Sequence, residues 1–172
     1  MNSSSNNDPN LDELIQATSE FSEWIKTATP GAILFVCGGL ALAMHGNNRS
    51  TTDADLAIDL SRTCRPNSNR PYNTNALKGL VAMNPDKFIV GPKIYQIVNA
   101  RTAQEKHIQV DFVNVNLYWT PFRAESMVNF SFDSIAHPLN LCTLLVSKMR
   151  STIECSQPDA EDCFTKQSND VQ

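Results

Sequence analysis

The sequence contains no apolar run of the roughly 18 residues that a membrane-spanning helix requires. Its first residues, MNSSSNNDPN, are polar, whereas a secretory signal peptide has an apolar central segment. These two absences argue against a membrane partner and against export. We therefore expect a soluble, cytoplasmic protein.

Basic residues are also scarce. The chain has 14 lysines and arginines against 18 aspartates and glutamates, and its formal net charge is -4. Proteins that grip duplex nucleic acid do so mainly through clustered basic side chains on the phosphates. We therefore expect no strong binding to duplex nucleic acid. The stretch that holds Arg62, Arg65 and Arg70 is either a local phosphate contact or, more commonly for such a stretch, a solvated loop.

Two sequence motifs that would have indicated a ligand are missing. None of the five cysteines forms a CxxC pair, and no histidine lies at zinc-finger spacing, which argues against a structural zinc site. The absence of GxGxxG argues against a Rossmann-type dinucleotide-binding domain. Cys37 and Cys142 lie inside apolar runs, where we expect them to be buried as small hydrophobic residues.

The composition is that of an ordinary folded domain. Of the 172 residues, 41% are hydrophobic and 19% are charged, which is enough apolar surface for one compact core. Polar residues dominate the two ends of the chain. We predict a disordered lead over residues 1–9, a single folded domain over 10–155, and a polar tail or short helix over 156–172.

Hydrophobic periodicity predicts alternating helices and strands. A helix from Leu11 to about Thr27, capped by Asp8 or Asn10, precedes a buried strand over 32–37 and a short helix over 40–45. The later elements are a strand over 53–60, a loop over 62–75, a helix over 74–83, strands over 93–99 and 107–115, and a last helix that begins at Pro138.

Acidic residues occupy one face of two predicted strands. Asp53 and Asp55 are separated by one residue, so their side chains leave the same face of the strand about 6.5 to 7 Å apart. Asp111 lies opposite the apolar residues of its own strand. Carboxylate oxygens are the ligands that magnesium prefers, and metal pairs bound by shared carboxylates are common in phosphate chemistry. The three acids predict a metal site; the alternative is that they are solvated residues on exposed strands.

Gly38-Gly39 lies between the predicted buried strand and the short helix that follows it. Glycines at such a junction let backbone N–H groups approach a polyphosphate, and the helix presents its positive end there. We predict that this turn contributes to a phosphate-binding site next to the acidic strand.

The two motifs together resemble a known signature. Val36-Cys37-Gly38-Gly39, followed after residues 40–52 by Asp53-Ala54-Asp55-Leu56, resembles the hG[G/S] and Dh[D/E]h motifs of the polymerase-beta-like nucleotidyltransferase superfamily. The longer string GGLALAMHGNNRSTTDADLAID is similar to small nucleotidyltransferases that include the bacterial abortive-infection toxins. Members of that group often show an Arg-x-Thr, which is Arg49-Ser50-Thr51 in this chain.

The resemblance implies a fold and a set of site residues. The fold is the nucleotidyltransferase fold, an α/β (α+β) arrangement in which helices flank a small mixed β-sheet. Three acids would bind two magnesium ions, with manganese as a substitute, and the third of them would also help to deprotonate the acceptor: Asp53, Asp55 and Asp111. Three further residues would hold the triphosphate, and a fourth would either contact its phosphates or brace its own loop: Gly38, Gly39, Lys148 and Arg49.

The implied activity is transfer of a nucleoside monophosphate from an NTP, ATP among them, to a hydroxyl acceptor with release of pyrophosphate. The acceptor is RNA, a protein or a small molecule, and the sequence does not choose among these or among the bases. The alternative is a noncatalytic nucleotidyltransferase-like module that binds a nucleotide or a protein partner. The acidic net charge and the short segment after the last predicted helix favour that alternative.

Overall fold

The computed structural model describes residues 8–48, 50–66, 68–99, 105–115 and 137–154. These residues form four helices, α1 Leu11–Ala28, α2 Gly38–Met44, α3 Thr74–Ala82 and α4 Leu141–Glu154. They also form six strands, β1 Ile33–Val36, β2 Asp53–Asp59, β3 Phe88–Val90, β4 Ile94–Asn99, β5 Glu105–Asn114 and β6 His137–Pro138.

The six strands form one mixed sheet in the order β3-β4-β5-β2-β1-β6. The pairs β2–β5 and β1–β6 are parallel, whereas the other three neighbouring pairs are antiparallel. The acidic strand β2 therefore lies inside the sheet, between β1 and β5, rather than at an edge. The predicted small mixed sheet with flanking helices is confirmed.

Helix α1 begins at a capping box. The side chain of Asn10 accepts a hydrogen bond from the backbone N–H of Glu13 at 3.0 Å, and the Glu13 carboxylate accepts one from the N–H of Asn10 at 2.9 Å. Of the two predicted caps, Asn10 rather than Asp8 is therefore the one used. Lys106 of β5 donates to the Glu13 carboxylate at 2.6 Å, so the start of α1 is tied to the sheet.

Helix α1 packs on the apolar face of the sheet. Its Phe21 is fully buried and stacks on Phe112 of β5, with 5.9 Å between the ring centroids. Alternate residues of β2, Ala54, Leu56 and Ile58, are buried on this side. Because successive strand residues point to opposite faces, the aspartates of β2 lie on the other face of the sheet.

The structure corrects two predictions and contains one strand that was not predicted. Pro138 does not begin a helix: it pairs with Val36 as part of β6, and α4 begins at Leu141 with Asn140 as its cap, whose side chain accepts from the N–H of Thr143 at 2.8 Å. A proline fits an edge strand as readily as a first helical turn, because neither position needs its missing N–H. Cys142 is exposed rather than buried, and strand β3 was not predicted.

Several predictions fall on residues outside the described ranges. These are Arg49, residues 1–7 of the predicted disordered lead, and the predicted tail over 156–172. Within the described part of the chain, no helix is both long and apolar enough to cross a membrane.

Candidate metal centre

The parallel pairing of β2 with β5 brings the predicted acids together. In the register of these strands, Asp55 lies beside Asp111 and Asp53 lies beside Gln109. Neighbouring strands are about 4.8 Å apart, so side chains on the same face of paired positions come into contact range. One carboxylate oxygen from each of Asp53, Asp55 and Asp111 lies within 4.8 Å of the corresponding oxygens of the other two. Such an arrangement of hard oxygen ligands is suited to a divalent cation.

The third aspartate of β2 does not join this cluster. Asp59 lies at the far end of the strand, and its carboxylate accepts a hydrogen bond from the backbone N–H of Ser61 at 2.8 Å. Between it and the cluster, the small side chain of Ala57 is fully buried. Asp59 therefore closes the turn after β2 rather than contributing a ligand.

Gly38 lies directly against Asp55. Its φ is +61°, in the left-handed region, and a β-carbon at this position would stand 1.9 Å from Oδ2 of Asp55. The two residues are held together by the backbone as well, because the N–H of Cys37 donates to the carbonyl oxygen of Asp55 at 2.9 Å. Both the conformation and the space require glycine here.

Gly39 binds the same carboxylate. Its backbone N–H donates to Oδ2 of Asp55 at 3.3 Å, and a β-carbon on Gly39 would stand 2.9 Å from Oγ1 of Thr51. The two glycines form the first turn of α2 rather than a loop before it, so the helix begins two residues earlier than predicted. The strand-glycine-helix unit is thus packed against the acidic strand.

The cluster is electrostatically crowded. Burial raises the pKa of Asp55 to about 6 from an ordinary 3.8, and repulsion by Asp53 and Asp111 contributes to the rise. The hydrogen bond from Gly39 and the positive charge of Lys148 oppose it. A cation bound between the carboxylates would relieve the repulsion that Asp53 and Asp111 exert on Asp55.

A basic residue of the last helix, Lys148, acts on this cluster. It lies on α4, it is half-buried, and its charge lowers the pKa of Asp55. Helix α4 also contacts α2, which carries the two glycines. The tertiary structure therefore brings a lysine from the last helix towards the acids and the glycine turn.

Thr51 and Gln109 contact the acids but were not singled out as site residues from the sequence. The hydroxyl of Thr51 donates to Oδ1 of Asp53 at 3.2 Å, and the side-chain amide of Gln109 donates to Oδ2 of Asp111 at 2.5 Å. Each precedes its aspartate by two residues. For Gln109 that spacing on a strand already indicates a shared face, so this signal was present in the sequence.

Two other polar residues, Arg65 and His45, stabilise the fold through hydrogen bonds to backbone carbonyl oxygens. The guanidinium of Arg65 donates to the carbonyl oxygen of Pro71 at 3.1 Å and lies over the ring of Tyr72, so Arg65 braces its own loop. A ring nitrogen of His45 at the end of α2 lies 2.9 Å from the carbonyl oxygen of Leu139. That contact joins the end of α2 to the segment that leads into α4.

A cavity of about 370 Å³ adjoins Thr51 on the side of α1 and α2. Its described lining is uncharged, with apolar residues from both helices and amide or hydroxyl groups around them. The lining comprises Pro9, Asn10, Leu11, Leu14, Ala43, Gly46, Asn47, Asn48, Ser50 and Thr51.

Comparison with known proteins supports the fold. The chain is similar to a solved structure described as an antigenic nucleotidyltransferase-like protein from Paracoccidioides brasiliensis, with a TM-score of 0.60 and 11% sequence identity. The match covers 93% of this chain and 74% of that chain. No family model and no curated protein sequence matches. At this identity the likeness shows a nucleotidyltransferase-like fold but does not show an activity.

Proposed function

We propose that this protein is a metal-dependent nucleotidyltransferase that transfers a nucleoside monophosphate from an NTP to a hydroxyl acceptor and releases pyrophosphate. The observation that carries the proposal is the convergence of Asp53, Asp55 and Asp111 beside Gly38, within a nucleotidyltransferase-like fold. An acidic cluster alone has many explanations. A glycine that the cluster itself requires, in this fold, favours a catalytic one.

The donor set fits magnesium. All three side chains offer carboxylate oxygens, and magnesium prefers such ligands while it retains several waters and binds substrate phosphates. Asp53, Asp55 and Asp111 would hold two magnesium ions, or manganese in their place. When bound, the metal supplies positive charge that stabilises the negative charge of the phosphates during transfer.

The protein's own groups then have distinct roles in the reaction. The acceptor oxygen forms a bond to the α-phosphorus of the NTP, and the bond from that phosphorus to the bridging oxygen breaks, so that pyrophosphate leaves. The hydroxyl proton must go to a base within hydrogen-bond reach. Asp111 is the exposed member of the cluster, and we assign this proton to its carboxylate.

Binding of the triphosphate is assigned to the groups around α2. Gly38 and Gly39 form the first turn of α2 beside Asp55, and we assign contact with the triphosphate to this turn. The amine of Lys148 supplies a positive charge on the same side, since it already acts on Asp55. Arg49, which follows the described Asn48, is proposed as a further phosphate contact or as a brace for its loop.

The proposal extends to the group of small nucleotidyltransferases that includes the abortive-infection toxins. It rests on the order of Gly38-Gly39, His45-Gly46, Arg49-Ser50-Thr51 and the acid pair in the sequence. The structure adds a reason for the threonine, because Thr51 contacts Asp53 and stands next to Gly39. The proposed partners are an NTP and an acceptor that is RNA, a protein or a small hydroxylated molecule.

A transfer assay tests the function. The purified chain would be incubated with each α-labelled NTP, with magnesium or manganese, and with RNA, protein and small hydroxylated compounds as acceptors. We expect labelled product from the wild type, a loss of at least about 100-fold in Asp55→Asn, because it removes a metal ligand, and little change in Asp59→Asn. Asp59 is the matched control because it lies on the same face of β2 outside the cluster.

The same assay decides against a noncatalytic module. Binding of labelled NTP without transfer to any acceptor, at a level equal in wild type and Asp55→Asn, would support the noncatalytic alternative. Transfer that is equal in all three proteins would show that the measured activity does not come from this site.

A further inference from the structure

Two side chains form a hydrogen-bonded chain that ends on the exposed acid of the cluster. The ammonium group of Lys93, which lies next to the start of β4, donates to Oε1 of Gln109 at 2.7 Å. The amide nitrogen of Gln109 then donates to Oδ2 of Asp111 at 2.5 Å. Gln109 also lies beside Asp53 in the register of β5 with β2. The glutamine is thus adjacent to two of the three carboxylates.

The chemistry of the three groups determines which way the amide points. A lysine ammonium can only donate hydrogen bonds, and an ionised carboxylate can only accept them. The oxygen of Gln109 must therefore face Lys93, and its nitrogen must face Asp111. The two partners require the same orientation, so the amide is held in it from both ends.

This arrangement suits a carboxylate that must bind a cation. Asp111 is exposed, and an exposed carboxylate turns readily about its last side-chain bond. A hydrogen bond from the neutral Gln109 restricts that rotation but leaves the negative charge of Asp111 in place. If Lys93 paired with Asp111 directly, its positive charge would compete with the cation instead.

We propose that Gln109 is a positioning residue which holds Asp111 in its metal-binding orientation, and that Lys93 anchors the Gln109 amide from its other end. This inference rests on the proposed function, because it assigns a role in the same site. It adds Gln109 of β5 and Lys93 of the turn before β4 to the residues of the proposed site.

Binding of Mn²⁺ to the full-length chain, followed by electron paramagnetic resonance, tests the positioning role without an acceptor. Gln109→Met keeps the length of the side chain but removes the donor, and we expect it to raise the Kd for Mn²⁺ about tenfold, as the loss of a group that orients a ligand commonly does. Gln16→Met is the matched control, since Gln16 makes a similar bond to Glu20 on the surface of α1.

The role of Lys93 is tested by a double-mutant cycle. Lys93→Met should raise the Kd about threefold, because Gln109 would lose the bond that anchors its amide oxygen but would keep its donor to Asp111. In the Gln109→Met background the same change should have no further effect, since the two residues act in series. Additive effects of the two substitutions would overturn the role assigned to Lys93.

Asp55→Asn, measured in the same way, separates failure of this inference from failure of the proposed function. If Asp55→Asn weakens Mn²⁺ binding and Gln109→Met does not, the metal site stands and the positioning role is wrong. If Asp55→Asn binds Mn²⁺ as the wild type does, the metal site itself is wrong. An unchanged Tm in Gln109→Met would show that a raised Kd is not caused by unfolding, whereas an equal loss in Gln16→Met would overturn the inference.

Discussion

Gly38 lies so close to Asp55 that a β-carbon at position 38 would stand 1.9 Å from Oδ2 of Asp55. The first turn of α2 and the carboxylate of β2 are therefore mutually constrained. Any side chain at position 38 must displace Asp55, and with it the cluster that Asp55 shares with Asp53 and Asp111. This contact links the conformation of the glycine turn to the geometry of the proposed metal site.

Gly38→Ala is expected to damage both stability and activity. The φ of +61° at Gly38 disfavours any residue with a β-carbon, and the steric conflict with Asp55 adds to the cost, so we expect a loss of about 2–4 kcal/mol in the free energy of unfolding. Transfer activity should fall by about 100-fold or more, because a metal ligand is displaced. Chemical denaturation and the transfer assay measure the two effects.

Gly79→Ala is the matched control for that substitution. Gly79 lies in α3, and apart from its chain neighbours and the backbone of its own helix, no atom of the described residues lies within 4 Å of the position where its β-carbon would be. Alanine there should leave activity unchanged and should raise the free energy of unfolding by up to about 1 kcal/mol. If Gly38→Ala behaved in the same way, the proposed constraint on Asp55 would be wrong.

Asp55→Asn is expected to stabilise the metal-free protein at neutral pH. Because folding raises the pKa of Asp55 from 3.8 to about 6, its ionised form is less favourable in the folded protein than in the unfolded chain. The stability that this group contributes is present below pH 3.8 and is lost as the pH rises through about 6. Above that pH, removal of the charge should gain about 1–3 kcal/mol.

Urea unfolding in the presence of a chelator measures this gain. The difference between Asp55→Asn and wild type should be large at pH 7.5 and should shrink as the pH falls from 6 towards 4. Asp59→Asn, which lies outside the cluster, is the matched control and should not gain stability at pH 7.5. A difference that grew on acidification would contradict a raised pKa of Asp55 in the folded protein.

Metal affinity is expected to fall at acidic pH. A proton on Asp55 competes with the cation, and the pKa of Asp55 is raised to about 6 in the metal-free protein. The apparent Kd for Mn²⁺ should therefore rise about tenfold between pH 8 and pH 5, since only about a tenth of the Asp55 carboxyl groups are then ionised. Mn²⁺ titrations at several pH values measure how the apparent Kd depends on pH, and an apparent Kd independent of pH over this range would contradict the prediction.

Lys148→Met should weaken the binding of NTP. Its charge acts on Asp55 from α4, and we assign it to the triphosphate, so its loss should raise the KM for NTP about tenfold, equivalent to about 1.4 kcal/mol. Its loss should also raise the pKa of Asp55 further, because Lys148 lowers that pKa in the wild type. Lys78→Met on the exposed surface of α3 is the control. An unchanged KM in Lys148→Met would contradict the assignment of Lys148 to the triphosphate.

Local patterns in the sequence account for much of the fold. The helical spacing of Leu14, Phe21 and Ile25 predicted α1, and the alternation in β2 and β5 predicted which face each aspartate occupies. Such patterns are readable because side-chain direction follows directly from the period of a helix or a strand. Pro138 and the short strand β3 were misjudged or missed, because a proline or three residues of apolar sequence fit more than one kind of element.

The sequence by itself determined the content of the site: glycines at the end of a buried strand, and aspartates on one face of β2 and of β5. Only the tertiary structure decided that β2 and β5 are parallel neighbours in a register that places Asp55 beside Asp111. It also decided that Lys148 acts on Asp55, and that Gln109 accepts a hydrogen bond from Lys93 and donates one to Asp111. Periodicity sets the direction of a side chain within its own strand, whereas strand partners and register depend on packing between segments distant in the chain.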